Sequence, residues 1–366
     1  MTQLINLLCW LPGHSGFGSY VQRVVPHLPG LRLQLDRNGD GCLMTPQAWT
    51  AQPPPPAPGR VMRLLQRYGM TQHGLRLNAL LAQQGLRPTD LELIYSPLFD
   101  ALLCWPQVPQ LITCHDLTPL VFPNSRKAWL KYRVWQPRHL ACARRVIAIS
   151  RHVADQLLAF GHPAERIAVV PNGVRIERPS IPAAQTPDLL VLARHDANKN
   201  LPALVQALAG AQRRLPRWCG RMRIVGRHGA DTAKLLRLQR DLPRPDGLEL
   251  IAALPPEQLI GALRSSLALV SASLEEGFDY PVLEAKAEGL PTLISDIPVH
   301  REFHQGSSLF FPPDDDGTVL AEQLSLLLSD PAGWRQLAAE GLSLAQQHSL
   351  DVQCQAIRTE MDRLCR

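Results

Sequence analysis

The sequence predicts an α/β protein of two domains, each built on a largely parallel β-sheet. Apolar runs of strand length alternate with amphipathic helical stretches along the 366 residues, a pattern typical of parallel sheets covered by helices. This length exceeds that of one ordinary domain. The proline-rich stretch 174–187 interrupts the alternation, and we place the domain boundary there.

Composition narrows the functional classes. The net charge of +6 favours an anionic partner such as a nucleotide, a phospholipid surface or nucleic acid. The eight cysteines are scattered without a Cys-x-x-Cys pair, which argues against a zinc site or a disulfide framework and fits a reducing cytoplasm. No apolar run has the length that spans a bilayer. Because no Lys or Arg precedes the apolar N-terminus, we expect a buried strand there and not a signal peptide.

The first domain begins with a predicted strand, Leu4–Trp10, followed by a glycine-rich loop and a helix that ends near Leu28. Glycine lets the backbone approach a ligand closely, so a diphosphate could rest on Gly16 and Gly18. A plain turn between strand and helix is the alternative, because short Gly-x-Gly patterns are common. The segment 36–43 imitates a calcium loop but lacks the bidentate Glu at the twelfth position, so we interpret it as a polar turn after a strand.

A helix over 61–84 and a strand over 91–95 lead to the strand 111–114, which His115 and Asp116 follow. Open α/β sheets bind ligands at the carboxyl ends of their strands, which favours a functional His115. A structural histidine is equally compatible with the pattern.

Residues 125–145 are the most basic stretch, with seven Lys or Arg, two tryptophans and no acidic residue. A basic helix with interleaved tryptophans is typical of contact with an anionic membrane surface. A solvated helix face is the alternative, and no nucleic-acid recognition motif accompanies the charge. The strands 145–150 and 167–171 follow, and Ser150 is the predicted cap of the helix between them.

The second domain opens with the strand 189–193 and a loop that carries Arg194 and Lys199 ahead of a helix. Two cations beside a helix start can converge on a phosphate, although surface solvation would explain them equally well. Three aspartates at 314–316 favour the start of a helix at Thr318 over a metal site. The other predicted strands and helices of this half are 221–226, 233–240, 248–252, 256–263, 267–271, 281–288, 291–295, 307–311, 334–348 and 351–364.

The stretch 273–284 is the part of the sequence that says most about function. It follows a predicted strand and contains Glu276 and Glu284, with seven residues between them. Pro281 is suited to the first position of the helix that follows. The loop therefore lies at the carboxyl end of a parallel strand beside a helix N-terminus, an arrangement that binds phosphate. Since carboxylates repel phosphate, the two glutamates would bind the hydroxyls of a sugar or ribose instead.

This stretch, extended to Asp296, closely resembles the Glu-x7-Glu signature of the retaining glycosyltransferases of family 4, the glycosyl transferases of group 1. The resemblance extends in the expected order through SGFGSY (15–20), CHDLTPLVFP (114–123), RVIAIS (145–150), VVPNGV (169–174), LARHDANKN (192–200) and SDIPVH (295–300). It is similar above all to mannosyltransferase-type members that build bacterial surface polysaccharide. It implies the GT-B fold, in which two Rossmann-like domains face each other across a cleft. We accordingly predict an acceptor-side domain (1–178), a nucleotide-sugar domain (186–346) and a final helix (347–366) that crosses back to the first domain.

The resemblance also implies roles for residues. Arg194 and Lys199 would neutralise the donor diphosphate, Glu276 would hold the transferred sugar, and His115 would line the reacting centre; these four are the predicted catalytic residues. Glu284 would bind the ribose hydroxyls. The remaining predicted binding residues are Gly16, Gly18, Phe278, Asp279, Tyr280, Pro281, Val282 and Leu283.

The sequence departs from the usual family pattern at four positions. Asp279 and Tyr280 replace the usual Gly-Leu, Lys286 replaces a Met, and Ala193 replaces a Gly. An acid at position 279 would change donor choice or reach a sugar hydroxyl.

The implied function is transfer of a hexose, with mannose as first choice, from GDP-mannose or a UDP-sugar to a saccharide or lipid-linked acceptor. We expect retention of anomeric configuration, no metal or other cofactor, no nucleic-acid partner, and a cytoplasmic location at the inner face of the membrane. A sugar phosphorylase, a nucleotide-sugar epimerase and a noncatalytic protein that binds a nucleotide-sugar or anionic lipid are the alternatives. The complete set of Arg194, Lys199, Glu276 and Glu284 argues against the noncatalytic protein.

Overall fold

The computed structural model describes residues 2–10, 16–36, 38–51, 60–123, 126–177, 179–182 and 186–365. Residues 12–15 of the predicted glycine-rich loop and the start of the basic stretch at Ser125 lie outside these residues. The chain divides into two compact units. Unit 1 comprises Met1–Asn172 with Leu350–Arg366, and unit 2 comprises Gly173–Ser349.

Unit 1 contains a seven-stranded sheet. Its strands are β1 (Thr2–Asn6), β2 (Leu31–Leu35), β3 (Gly41–Met44), β4 (Leu91–Ser96), β5 (Gln110–Cys114), β6 (Arg145–Ala148) and β7 (Ile167–Val169). Their order is β3-β2-β1-β4-β5-β6-β7. The β2–β3 pair is antiparallel, whereas the other neighbouring strands of this sheet pair in parallel.

The helices of unit 1 are α1 (Gly16–Val24), α2 (Arg60–His73), α3 (Leu77–Gln83), α4 (Thr118–Val121), α5 (Arg126–Val134), α6 (Gln136–Cys142), α7 (Arg151–Ala159) and the last helix, α15 (Leu350–Leu364). The final helix is tied to this unit by Arg145, whose Nε lies 2.8 Å from Glu360. Ile357 and Met361 on the same helix are buried. As predicted, the hydroxyl of Ser150 caps α7 by accepting the backbone N–H of Val153.

Several predicted elements differ from the observed ones. The first strand ends at Asn6 and not at Trp10, because Asn6 Oδ1 accepts the N–H of Leu8 and turns the chain. The predicted helix 61–84 is divided into α2 and α3, since Gly74 (φ 65°) and Arg76 (φ 66°) leave the helical region between them. The basic stretch likewise forms two helices, α5 and α6. The antiparallel strand β3 and the helix Pro298–His304 in unit 2 were not predicted.

Unit 2 contains a six-stranded parallel sheet in the order β10-β9-β8-β11-β12-β13. These strands are β8 (Leu189–Leu192), β9 (Met222–Val225), β10 (Leu248–Ile251), β11 (Ala268–Ser271), β12 (Thr292–Ser295) and β13 (Leu309–Phe311). The helices are α8 (Leu201–Arg214), α9 (Thr232–Arg240), α10 (Pro256–Ser265), α11 (Tyr280–Ala287), α12 (Pro298–His304), α13 (Thr318–Ser329) and α14 (Pro331–Gln347).

The central strands of unit 2 are apolar on both faces, as expected for a sheet that helices cover on each side. Leu189, Leu190, Leu269 and Val270 are all buried. The aspartates ahead of α13 act as predicted: Asp315 accepts the N–H groups of two residues in the first turn.

The strand order of each unit places a switch point at the middle of its sheet. In unit 2 the chain proceeds from β8 through β9 to β10 and then returns to the other side of β8 as β11. The loops after β8 and β11 therefore diverge and leave a crevice at the carboxyl ends of these strands, where such sheets bind ligands. Unit 1 has the same relation between β1 and β4. The predicted α/β class with Rossmann-like parallel sheets is confirmed.

Candidate active site

The two loops at the switch point of unit 2 are joined by hydrogen bonds through Asn198. Its backbone carbonyl accepts the N–H of Leu274 at 2.8 Å, and its side-chain amide donates to the carbonyl of Glu275 at 3.2 Å. Asn200, in the left-handed region at φ 53°, donates to the carbonyl of Pro313 at 2.8 Å. The loop 193–200 is thus held against the loop 272–279, although the two are far apart in the chain.

This junction brings Lys199 and Glu276 together in a partly buried ion pair. Lys199 Nζ lies 2.5 Å from Glu276 Oε1, and both side chains are 14% exposed. Asp279 Oδ1 is 3.7 Å from the same ammonium. Burial alone lowers the pKa of Lys199, but the two carboxylates outweigh burial and raise the pKa above its ordinary value. Lys199 is therefore a cation over the whole physiological pH range.

Asp279 is held in an unusual backbone conformation with its carboxylate turned inward. Its φ of 66° lies in the left-handed region, which costs a non-glycine residue roughly 1 kcal/mol or more. The side chain is 1% exposed, and Ser271 Oγ donates to its Oδ2 at 2.5 Å. Burial raises the pKa of Asp279, but Lys199 and His300 outweigh it and hold the pKa below its usual range. The carboxylate contacts Lys199, Ser271 and His300, and its influence on donor choice stays a prediction.

His300, at the start of α12, completes the cluster. Its Nδ1 lies 2.8 Å from the carbonyl oxygen of Ser295, which only accepts hydrogen bonds, so Nδ1 carries a hydrogen. Its Nε2 lies 3.1 Å from Asp279 Oδ2, so the ring bridges the carbonyl of Ser295 and the carboxylate of Asp279. Lys199, Glu276, Asp279 and His300 thus form one buried charged network. Sequence reasoning assigned no role to His300, Ser271 or Asn198, although all three stand at or just beyond the carboxyl end of a strand.

Arg194 lies at the same edge of the sheet. Its Nη2 is 3.1 Å from Asp196 Oδ2, and the side chain is 48% exposed. The positive charge of Arg194 lowers the pKa of Lys199 and offsets part of the rise that the two carboxylates cause. Both predicted phosphate ligands are therefore present at the switch point, each paired with a carboxylate.

Several side chains of the predicted binding stretch 278–284 pack in the core of unit 2. The Phe278 ring is buried against Phe303, with ring centroids 4.7 Å apart, and Val282 and Leu283 are also buried. The helix α11 begins at Tyr280, one residue before the predicted start at Pro281. Glu284 follows on the second turn, partly buried.

In unit 1, His115 follows β5 as predicted, and its side chain contacts Pro97 and Tyr20. Its Nε2 donates to the carbonyl of Pro97 at 2.8 Å, and its ring packs edge-on against Tyr20 at 4.5 Å. Burial lowers the pKa of His115 to about 4, so the ring is neutral near pH 7. The helix α1 begins at Gly16, with Gly18 buried in its first turn.

Comparison with known protein families agrees with the family that the sequence motifs resemble. The model described as Glycosyltransferase Family 4 matches residues 45–178, and the model described as Glycosyl transferases group 1 matches residues 175–341. The chain belongs to this glycosyltransferase family. Together the two matches span residues 45–341, which include a large part of each unit.

Two curated relatives are mannosyltransferases by name. The O-antigen chain mannosyltransferase RfbU of Salmonella typhimurium is 26% identical over 211 residues, which span 57% of this chain and 58% of the relative. The GDP-mannose:cellobiosyl-diphosphopolyprenol alpha-mannosyltransferase of Xanthomonas campestris is 31% identical over 157 residues, 42% of this chain and 40% of the relative. The match thus spans about half the length of these relatives.

Solved structures of this glycosyltransferase fold cover the whole chain. Anabaena HepE in complex with UDP superimposes with a TM-score of 0.71 at 18% identity, over 99% of this chain and 100% of that one. Sucrose-phosphate synthase from Thermosynechococcus elongatus gives a TM-score of 0.75 at 18% identity, over 100% and 99% of the two chains. These similarities establish the fold, and the GT-B prediction is confirmed as a fold class.

Proposed function

We propose that the protein transfers a hexose from a nucleoside diphosphate sugar to a surface-polysaccharide acceptor with retention of anomeric configuration. The observation that carries this proposal is the charged network of Lys199, Glu276 and Asp279 at the switch point of unit 2. A buried cation beside two carboxylates at this position matches a ligand that has a diphosphate on one side and hydroxyls on the other.

The charges suit a leaving diphosphate. Arg194, Lys199 and the N-terminal end of α11 supply positive charge where the diphosphate would develop its negative charge. On donor binding, Lys199 would exchange Glu276 for a phosphate oxygen, and the released carboxylate would accept hydrogen bonds from sugar hydroxyls. In front-face attack the departing phosphate itself takes the acceptor proton. Because two cations and the dipole of α11 would neutralise the leaving diphosphate, the proposed mechanism requires no metal.

The proposed donor is GDP-mannose, because the names of the relatives above specify mannose transfer and one of them specifies GDP-mannose. The HepE structures hold UDP or UDP-glucose, so a UDP-sugar is the second candidate.

The proposed acceptor is a lipid-linked saccharide at the cytoplasmic face of a membrane. The name of the Xanthomonas relative specifies a polyprenol-linked acceptor. On α5 of this chain, Trp129, Leu130 and Val134 are exposed within the basic stretch, a composition suited to an anionic membrane surface. No helix in the described parts of the chain is long and apolar enough to cross a membrane.

The proposal is tested by measuring thermal stabilisation with GDP, UDP, ADP and their sugars, followed by transfer assays with the nucleotide that stabilises best. Preferential binding to the folded state raises Tm. We expect GDP-mannose to stabilise the protein and to yield an α-linked product by NMR. Release of sugar 1-phosphate on adding inorganic phosphate would instead indicate a phosphorylase, and epimerised sugar with donor alone would indicate an epimerase. Binding without turnover on a panel of lipid-linked acceptors would indicate a noncatalytic protein.

A further inference from the structure

A second pocket lies in unit 1, away from the switch points. It has a volume of about 420 Å³, within the range of roughly 300–1,000 Å³ typical of small-molecule sites. The pocket lies between the helices α5 and α6 and the segment 160–166, which connects α7 to β7. Leu117 and Leu120, which follow His115 at the start of α4, also line the pocket.

Two buried polar atoms belong to side chains that line the pocket. Gln136 is 1% exposed and His162 is 9% exposed. Neither Gln136 Oε1 nor His162 Nε2 has a hydrogen-bond partner among the described residues. An unpaired buried polar atom costs about 1–3 kcal/mol of stability. A ligand that forms hydrogen bonds to these atoms would remove that cost. Burial, with the nearby charge of Arg166, lowers the pKa of His162, so its neutral ring offers a donor or an acceptor.

The rest of the lining is apolar and basic. Leu117, Tyr132 and Phe160 contribute apolar and aromatic surface. Arg133 and Arg166 are exposed at the rim. No acidic side chain is among the described residues that line the pocket. The pocket therefore combines flat apolar surface, hydrogen-bonding atoms and positive charge.

These features distinguish between classes of ligand. An acyl or isoprenoid chain would leave Gln136 Oε1 and His162 Nε2 unpaired under an apolar cover. A free phosphate would form ion pairs with the arginines and leave the apolar walls exposed to water. A pyranose ring has an apolar C–H face for Tyr132 and hydroxyls for the polar atoms, and an acidic substituent would meet the arginines.

We propose that this pocket is a second saccharide-binding site that takes an anionic saccharide, one that carries a phosphate or carboxylate group. Its assignment to the polymer that the enzyme extends rests on the proposed function, whereas the binding itself does not. A site of this kind would hold an acceptor chain at a distance from the reacting end and raise its local concentration.

The test measures binding by titration calorimetry with three probes: a mannobiose bearing a terminal phosphate, unmodified mannobiose, and inorganic phosphate. We expect the phosphorylated disaccharide to bind at least about tenfold tighter than either other probe. Arg166→Ala should remove that preference, and Gln136→Leu should weaken both disaccharides about tenfold by removing the hydrogen-bonding atom. Arg138→Ala, an exposed change on α6 outside the pocket lining, is the matched control and should change neither affinity.

GDP binding to the same variants separates this inference from the proposed function. We expect GDP affinity to stay unchanged in all three, since the donor cluster lies in unit 2. If Gln136→Leu does not fold, Arg166→Ala at the exposed rim retains the test. Equal affinity for inorganic phosphate and the phosphorylated disaccharide would overturn the proposal. So would saccharide binding that survives both pocket variants, or phosphatidylglycerol vesicles that bind through Arg166 while no saccharide binds.

Discussion

The two switch points of the molecule share a backbone arrangement and differ in the chemistry of their side chains. In unit 1, Asn6 at the end of β1 donates to Ser96 Oγ at 3.0 Å and to the carbonyl of Asp100 at 2.7 Å. Nearby, Tyr95 hydroxyl lies 3.0 Å from the hydroxyl of Tyr20 and 2.9 Å from that of Thr113. These contacts join uncharged groups, and burial raises the pKa of Tyr20 well above its ordinary value.

In unit 2 the equivalent position holds the ion pairs of Lys199 and Asp279. Buried charges cost more free energy than buried uncharged hydrogen bonds, and replacing them with apolar groups often stabilises a protein. The ion pairs of Lys199 indicate that unit 2 uses this position to bind a charged ligand, whereas the contacts of Asn6 in unit 1 fix the loop that follows β4. Three measurements test this contrast.

The largest expected effect is on turnover. Lys199→Ala removes the buried cation that faces the proposed diphosphate and should reduce kcat by about 100- to 1,000-fold, equivalent to about 3–4 kcal/mol of transition-state stabilisation. The measurement is the rate of sugar transfer at saturating donor. Lys234→Ala changes an exposed lysine of α9 in the same unit and should leave kcat unaltered. Near-normal turnover by Lys199→Ala would refute the assignment of the switch point as the donor site.

An effect on stability alone is expected at the other switch point. Asn6→Ala leaves the Ser96 hydroxyl, the Asp100 carbonyl and the Leu8 N–H without their partner, which should destabilise unit 1 by about 2–3 kcal/mol. Chemical denaturation measures this loss, and calorimetry with GDP should show an unchanged Kd. A weakened Kd with intact stability would show that the uncharged network also serves the donor.

The smallest expected effect concerns Lys286, a buried side chain on α11. Lys286 is fully buried and donates to the carbonyl and hydroxyl of Ser307. Burial lowers its pKa to about 7. Between that value and the ordinary pKa of about 10.4 the unfolded chain binds a proton that the folded chain does not, so this group makes stability rise with pH.

Lys286→Met, which replaces the buried amine with an apolar side chain of similar length, should therefore stabilise the protein in a pH-dependent way. At pH 7 the buried amine costs about 4 kcal/mol, and the two lost hydrogen bonds offset about 2 kcal/mol, which leaves a gain of about 2 kcal/mol. Near pH 9 the gain should fall to about zero. Urea denaturation at pH 7, 8 and 9 measures it, and a gain that does not vary with pH would contradict this account of Lys286.

Local patterns in the sequence predicted most strands and helices, the cap at Ser150 and the aspartates ahead of α13. The Glu-x7-Glu signature located the loop after β11 whose Glu276 meets Lys199, and the roles assigned to Arg194, Lys199, Glu276, Glu284 and His115 stay predictions. The division of the helix predicted over 61–84 was missed because it depends on the left-handed conformation of Arg76, which apolar periodicity does not register.

The sequence by itself determined the elements, the residue types available for chemistry and the family, because periodicity, capping and motifs act over a few residues. The tertiary structure decided which of those residues meet. Lys199 contacts Glu276 only because the strand order sets β8 beside β11. The carboxylate of Asp279 turns inward only because His300, in the helix α12 that follows the neighbouring strand β12, offers it a partner. Such contacts depend on strand order and loop closure, which spacing along the chain does not specify.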